Sequence, residues 1–361
     1  MSLRKYRSLG NSGLRVSPFC LGAMTFGEEW GWGATPEVSV KILDSYLDQG
    51  GNFIDTANGY TKGHSEMIIG DNIGRHSSKR DRAVIATKFF TNMYTGDPNG
   101  GGASRKTIIE SCEQSLRRLQ TDYIDLYWIH AWDRLTPIEE TMRTLDVLVE
   151  SGKVRYIGFS DTPAWKVSQA QTIATLRGWT PLIALQLEYS LVERTIEGEL
   201  VPAALELGLG ITPWSPLKAG LLSGKYSRDN AAQSTPGRGA RVSNLFTEQT
   251  FRILDVLANV AREQNTTSAR AALSWIQNRP GVVSTLIGAR TMEQLNDNLG
   301  ALDVELSVNQ ATALEEISRP KLNFPFDFMR SVATFGYNGA TINGETFAVN
   351  QLAPKNDEER F

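Results

Sequence analysis

The 361-residue sequence predicts an α/β protein built as one (β/α)8 barrel of the TIM type, and three observations carry that expectation. Short apolar runs alternate with amphipathic stretches at intervals of roughly 30 residues, the pattern of parallel strands joined by helical crossovers. Eight such runs can be counted, the number that closes a barrel. Several end on a polar or ionisable residue, as strands do at the end of a barrel that carries its site.

In chain order, residues 6–19 alternate around an Asn11-Ser12-Gly13 turn and read as a β-hairpin ahead of the barrel, able to cap one end of its core. The first strand passes through Cys20-Leu21-Gly22, and a loop with Trp30 and Trp32 follows it. A helix is expected over 36–49, with Thr35 as N-cap and Pro36 as its first residue. The remaining strands are read at 52–55, 83–87, 123–129, 156–158, 182–186, 210–214 and 284–287. Helices are read at 104–119, opened by Ser104, and at 138–150, 164–176 and 250–264. Residues 226–247, rich in Ser, Asn, Gly, Pro and Arg, form the longest interruption, of a length usual for functional or unstructured loops. A last helix near 310–318 completes the barrel, residues 20–318. Residues 319–361 form a C-terminal tail carrying Phe324, Phe326, Phe328, Phe335, Tyr337 and Phe347, whose simplest role is packing on the outside of the barrel. The whole is read as a single domain.

Composition narrows the class of function. A hydrophobic content of 41%, a charged content of 21% and a net charge of −3 describe an ordinary globular chain with no bulk attraction for nucleic acid or an acidic membrane. Cys20 and Cys112 are too few for a disulfide framework and read as core thiols in a reducing compartment. The N-terminus lacks the apolar core of a signal peptide, and no run of about 18 apolar residues occurs, so a cytoplasmic protein is expected. No metal site is expected, and nothing in the sequence marks an oligomeric state.

A barrel concentrates function at the carboxyl ends of its strands. Asp55 ends the second strand, and the Asn58-Gly59 turn signal can lift Tyr60 toward the same mouth. Lys88 follows the third strand, His130 the fourth, Ser160 and Asp161 the fifth; Gln186 ends the sixth and Trp214-Ser215 the seventh. Singly, each has a plain structural reading: an acid satisfying loop amides, a lysine at a strand end, a histidine satisfied in the core. Four titratable groups on successive strands are a stronger signal, because only barrel closure brings them together. The chemistry suits the set. An ammonium beside a tyrosine favours the phenolate and brings a poor acid into useful range, which Lys88 can do for Tyr60. Asp55 can keep Lys88 charged, and His130 can orient a carbonyl oxygen. No side chain in the group is an obvious nucleophile toward a polarised carbonyl, and hydride from a nicotinamide fits. No Gly-x-Gly-x-x-Gly turn opens a helix, so a Rossmann fold is not supported. Phosphates would instead fall at the loops after the seventh and eighth strands, near Lys225 and Arg290, which are equally consistent with solvated basic surface. Pocket walls are expected from Trp30, Trp32, Phe89, Phe90 and Trp132, each also consistent with loop or barrel packing.

Over residues 6–318 the chain resembles the aldo-keto reductases. The phrases Ile54-Asp55-Thr56-Ala57-Asn58-Gly59-Tyr60, Ala86-Thr87-Lys88, Trp128-Ile129-His130, Gly158-Phe159-Ser160, Trp214-Ser215-Pro216-Leu217 and Leu222-Ser223-Gly224-Lys225-Tyr226 carry the resemblance in order and spacing. It implies Tyr60 as proton donor, Lys88 and Asp55 as its tuning pair, His130 as the group that places the carbonyl, and NADP(H) as cofactor. It also implies a nicotinamide end at Ser160, Asp161, Gln186 and Trp214, with Ala23, Met24 and Asp55 further cofactor-binding residues. Ser215, Pro216, Leu217 and Lys225 would lie along the pyrophosphate, with Gly288, Arg290, Gln294, Asp297 and Asn298 around the adenosine. Two departures stand out: Asp161 where many members have Asn, and Gly288-Ala289 where some have Lys-Ser, which leaves a 2′-phosphate to Arg290. The implied activity is reversible, NADPH-dependent reduction of an aldehyde or ketone. The alternative is a regulatory subunit without significant turnover, like the potassium-channel β subunits, which share the phrasing of the cofactor loops; His130 speaks against it, because those subunits have Asn at that position.

Overall fold

The computed structural model describes residues 2–74, 78–228 and 242–360. Most of the expected loop at 226–247 therefore lies outside the described residues. The chain divides into two compact units at Ser318/Arg319.

The first unit is the barrel. Its strands are β1 (Phe19–Gly22), β2 (Phe53–Asp55), β3 (Val84–Phe89), β4 (Ile124–Ile129), β5 (Val154–Ser160), β6 (Leu182–Glu188), β7 (Gly210–Trp214) and β8 (Thr285–Ile287). All neighbours are parallel, and β8 pairs with β1. The ring closes beside β7 through the residues preceding β8: the Ile211 N–H donates to Gly281 O at 2.8 Å and the Val283 N–H to Ile211 O at 2.9 Å. Between strands run α1 (Pro36–Asp48), α2 (His64–Ile73), α3 (Arg105–Leu119), α4 (Ile138–Glu150), α5 (Ala164–Arg177) and α6 (Leu200–Glu206). The β7–β8 connection holds α7 (Glu248–Glu263) and α8 (Ser268–Gln277), and α9 (Met292–Gly300) and α10 (Val308–Ile317) follow β8. The expected caps form: Thr35 accepts from the Val38 N–H and Ser104 from the Thr107 N–H. No helix among the described residues is long and apolar enough to cross a membrane.

Strand alternation sorts the core into two layers. One set of side chains packs between strands and helices. The other fills the interior, with Cys20, Phe53, Val84, Ala86, Leu126, Trp128, Ala184 and Leu286 among its members. The N-terminal hairpin, Arg7–Ser8 against Arg15–Val16, contributes Leu9 and Val16 to this interior cluster and so plugs the end of the barrel opposite the strands' carboxyl ends. An apolar plug below leaves the polar strand ends facing the other way.

Inside the barrel Trp128 is fully buried, and it takes its room from Gly158 on the neighbouring strand. A Cβ on Gly158 would stand 2.4 Å from the Trp128 ring and 2.9 Å from Ala184 O. Two separate sequence phrases, the one around Trp128 and the one around Gly158, are thus halves of one packing contact.

The second unit holds a helix, α11 (Phe326–Tyr337), and a two-stranded ribbon, Thr341–Ile342 against Glu345–Thr346. Asn343 and Gly344, both left-handed, make the tight turn that such ribbons favour. Among its aromatics, Tyr337 packs on Phe347 at 4.4 Å between ring centroids and Phe324 on Phe328 at 5.8 Å.

Candidate active site

The second and third strands supply the centre. Because Ala86 and Lys88 share a face of β3, Lys88 points into the barrel mouth, where it is fully buried. Its ammonium has three donors and all three are used: Asp55, Thr56 O at 2.8 Å and the Tyr60 hydroxyl oxygen at 3.2 Å. The other Asp55 oxygen accepts from Gln186 Nε2 at 2.9 Å. A chain of contacts therefore runs from β6 through β2 and β3 to Tyr60. Burial alone would push Lys88 down, but Asp55 and then Tyr60 hold it above its ordinary value, so it stays an ammonium. For Tyr60 the balance differs from the sequence expectation. Burial raises the phenol above its ordinary value by more than Lys88 lowers it, and the hydroxyl is protonated at neutral pH. Its oxygen accepts from Lys88, and among the described residues its proton has no acceptor.

Tyr60 is lifted into place one step later than the Asn58-Gly59 signal suggests. Gly59 has an ordinary negative φ, and the left-handed run is Thr61 (φ 46), Lys62 (φ 59) and Gly63 (φ 93). A buried, β-branched threonine in that region is strained by about 1–2 kcal/mol. It is held there because its hydroxyl donates to Phe26 O at 2.8 Å and accepts from the Ser65 N–H at 3.0 Å. Asn58 ties the same segment to the third strand, its N–H donating to Lys88 O at 3.0 Å. Non-glycine residues with positive φ also stand immediately after three strands: Phe90 after β3, Asp161 after β5 and Ser215 after β7. Strain gathers at the mouth that carries the polar groups, as it does at functional sites generally.

His130 follows β4, its N–H donating to Phe89 O at 3.1 Å and its ring lying edge-on to Tyr60 at 5.6 Å. Burial and then the Lys88 charge hold its imidazole down to about 3, so it is neutral at physiological pH. Trp30 meets Tyr60 edge-on at 6.2 Å and packs at a tilt against Trp32 at 5.4 Å, so the β1 loop brings one indole to the phenol and a second behind it. Phe90 and Trp132 are half-buried. Phe89 is a correction: as the residue after an inward lysine it points outward, fully buried against Tyr127 at 4.9 Å in the layer under the helices, and it is no pocket wall.

The residues expected around a dinucleotide occupy the opposite arc. Ala23 and Met24 lie in a 3-10 turn, Ala23–Thr25, tied to the β8 loop by Thr25 Oγ1 donating to Ala289 O at 2.8 Å. Ser160 is buried at the end of β5 and Gln186 is buried within β6, two residues before its end, with an amide N–H donating to Asp55. Asp161 accepts from the Trp214 indole N–H at 3.0 Å and from the Ser160 hydroxyl at 3.3 Å, which fixes the plane of a half-exposed Trp214. Ser215 and Leu217 are half-exposed and Pro216 buried ahead of the turn Lys218–Ser223, which packs near the Lys225 ammonium. Gly288 is exposed, with nothing closer than 4.0 Å to a Cβ built on it. The Arg290 N–H donates to Gln294 Oε1 at 2.9 Å, and its guanidinium has no ion-pair partner among the described residues. Asn298 Nδ2 donates to Gly288 O at 3.1 Å, and Asp297 pairs with Arg270 at 2.8 Å. An open glycine, a guanidinium with no ion-pair partner among the described residues, a further lysine and a half-exposed indole fit an anionic dinucleotide laid across this arc.

Sequence reasoning missed the supports. Glu66, fully buried on α2, accepts from Thr87 Oγ1 at 2.5 Å and from Arg118 Nε at 2.6 Å, which locks the helix after Tyr60 to the strand of Lys88. Glu29 on the tryptophan loop pairs with His64 at the start of α2. Neither pair has a local signature, because each joins residues at least 21 positions apart.

A buried ammonium thus stands between a carboxylate and a phenol at the mouth of a (β/α)8 barrel. The aldo/keto reductase family profile matches residues 18–319, and the chain belongs to that family. It is 38% identical over 322 residues to the uncharacterized oxidoreductase YrpG of Bacillus subtilis, covering 87% of this chain and 95% of the relative. It is 35% identical over 349 residues to norsolorinic acid reductase B of Dothistroma septosporum, covering 94% and 88% respectively. It is also 35% identical over 343 residues to an NADP(+) aryl-alcohol dehydrogenase of Phanerodontia chrysosporium, covering 90% and 88%. The chain is an oxidoreductase of carbonyl chemistry.

Proposed function

We propose that this protein interconverts an aromatic aldehyde or ketone and its alcohol with NADP(H), Tyr60 exchanging the proton. The observation that carries the reading is the Tyr60 hydroxyl: it accepts from Lys88 at 3.2 Å, and its own proton has no acceptor among the described residues. A nicotinamide bound along the Ser160, Asp161 and Trp214 arc would supply hydride to the carbonyl carbon. The chain's own residues do the rest. A neutral His130 donates a hydrogen bond to the carbonyl oxygen without adding charge, orienting it toward Tyr60. Tyr60 gives that oxygen its proton as negative charge develops there, and the Lys88 ammonium stabilises the phenolate left behind. Asp55 acts through Lys88, and Gln186 holds Asp55. In the oxidative direction the phenolate takes the alcohol proton back.

Arg290 supports the preference for NADPH, since a guanidinium with no ion-pair partner among the described residues suits a 2′-phosphate. The Trp30–Trp32 pair beside Tyr60 supports a ring-bearing substrate, as do the aryl alcohols and norsolorinic acid in the names of the relatives. The test is NADPH consumption across aromatic and aliphatic carbonyls by the wild type and Tyr60→Phe. The variant should bind NADPH as the wild type does and lose about 100-fold or more in kcat; unchanged turnover would remove Tyr60 from the mechanism.

A further inference from the structure

A second aromatic pair stands at the same mouth, and the chemistry above does not use it. Trp165 is 57% exposed, an unusual state for an indole, and it packs edge-on against Trp132 with ring centroids 5.2 Å apart. The Lys166 ammonium lies 4.9 Å from the Trp165 ring centroid and 6.0 Å from that of Trp132, and it donates to Gln169 at 2.7 Å. Both tryptophans leave the catalytic end of adjacent strands, Trp132 two residues after His130 on the β4 side and Trp165 four residues after Asp161 on the β5 side. Two residues of chain reach at most about 7 Å, so Trp132 begins where the catalytic histidine ends.

The platform is held rigidly. Asp133, next to Trp132, accepts from the Ala103 and Leu135 N–H groups at 2.8 Å each and from Thr136 Oγ1 at 2.7 Å. Trp165 sits in the first turn of the 14-residue helix α5. Packing does not explain the exposure of its ring, because an indole laid on a helix end for stability would be covered.

We propose that Trp132, Trp165 and Lys166 form an outer subsite for the distal part of an elongated substrate, taking a second aromatic ring that carries an acidic oxygen. The indoles offer the ring an offset or edge-on contact, and Lys166 offers the carboxylate or phenolate a cation. The inference rests on the carbonyl chemistry proposed above, since the first ring would lie near Tyr60 with its carbonyl.

Three aldehydes separate the contributions: benzaldehyde, biphenyl-4-carbaldehyde and 4′-formylbiphenyl-4-carboxylate. Trp165→Ala should raise KM for both biphenyl substrates by about five-fold and leave benzaldehyde unchanged. Lys166→Gln should raise KM by a few-fold for the carboxylate alone. An equal rise for all three, or none for any, overturns the subsite. Binding of the unreactive biphenyl-4,4′-dicarboxylate, followed by tryptophan fluorescence, reads the subsite without turnover: Kd should weaken in both variants, and a Kd unchanged in both overturns it. If the wild type reduces none of the aldehydes yet binds the dicarboxylate through Trp165, the proposed reaction fails and the subsite stands.

Discussion

Replacing Gly158 with alanine tests whether the barrel interior positions the site. The added Cβ would lie 2.4 and 2.6 Å from two carbons of the Trp128 ring and 2.9 Å from Ala184 O, against ordinary contacts of about 3.5–4.0 Å. The ring must retreat by about 1 Å, and it is fully buried among interior side chains, which pack at close to crystal density in proteins. Overpacking of this kind costs about 1–3 kcal/mol. Trp128 is paired in register with Lys88, so its retreat disturbs the residue that touches Asp55 and Tyr60, and a shift near 1 Å in a reacting group costs about 100-fold in rate. Urea unfolding should show a lowered midpoint with an unchanged m-value, and NADPH-dependent turnover should fall with it. In a Trp128→Leu background the same Gly158→Ala change should cost less by at least about 1 kcal/mol, the coupling expected of residues in contact. A Gly158→Ala protein as stable and active as the wild type, or a cost identical in both backgrounds, would refute the reasoning.

His130 makes stability depend on acid pH. The folded chain holds the imidazole down to about 3 against an ordinary 6.5, so between these values the unfolded chain binds a proton that the folded chain does not. Stability from this group is complete above pH 6.5 and is lost as pH falls toward 3, by up to about 1.4 kcal/mol per pH unit; His130→Gln should flatten that slope in urea midpoints. The same neutrality predicts no inflection from His130 in kcat between pH 5 and 8. Asp161→Ala should free the Trp214 indole, shifting its emission and weakening NADPH binding a few-fold, since the lost hydrogen bond is solvent-exposed and worth about 1 kcal/mol or less. Asp161→Asn keeps an acceptor oxygen and should bind NADPH nearly as the wild type does.

The positions of the strand-end residues were legible because barrel topology is local: each strand carries its own polar terminus, and counting eight strands brings the termini together. Helices were less legible where packing overrode pattern. α8 is buried along nearly its whole length, and the burial of its polar Ser274 and Gln277 is set by the surrounding packing, which its sequence does not show. α2 contains Gly70, where a Cβ would stand 2.3 Å from Arg118 O, and the close packing of α2 on α3 thus selects a residue that weakens the helical signal. At the strand ends, which residues would meet was readable and their energetics were not. That Lys88 neighbours Tyr60 is a matter of strand ends; that burial outweighs the lysine and keeps the phenol protonated depends on the surrounding volume. Asp161 was assigned from its place after β5, but its engagement with Trp214 depends on a left-handed backbone that the sequence does not announce.

Asp55 and Lys88 raise the question of why an ion pair sits in the mouth at all. Both are essentially excluded from water, and taking two charges out of water costs several kcal/mol per ion before their attraction and the bonds from Gln186 and to Thr56 O offset it. Removing Lys88 alone leaves Asp55 buried and unpaired and should cost about 3–5 kcal/mol, whereas replacing both members by apolar residues of similar volume is often neutral or stabilising. An Asp55→Leu/Lys88→Met protein should therefore unfold at a urea midpoint close to or above that of the wild type while losing nearly all turnover, and Lys88→Met alone should lose both. If the double variant were as unstable as the single one, the pair would be a structural requirement of the barrel. A stable, inactive double variant would instead mean that the charges are kept for what they do to the Tyr60 proton.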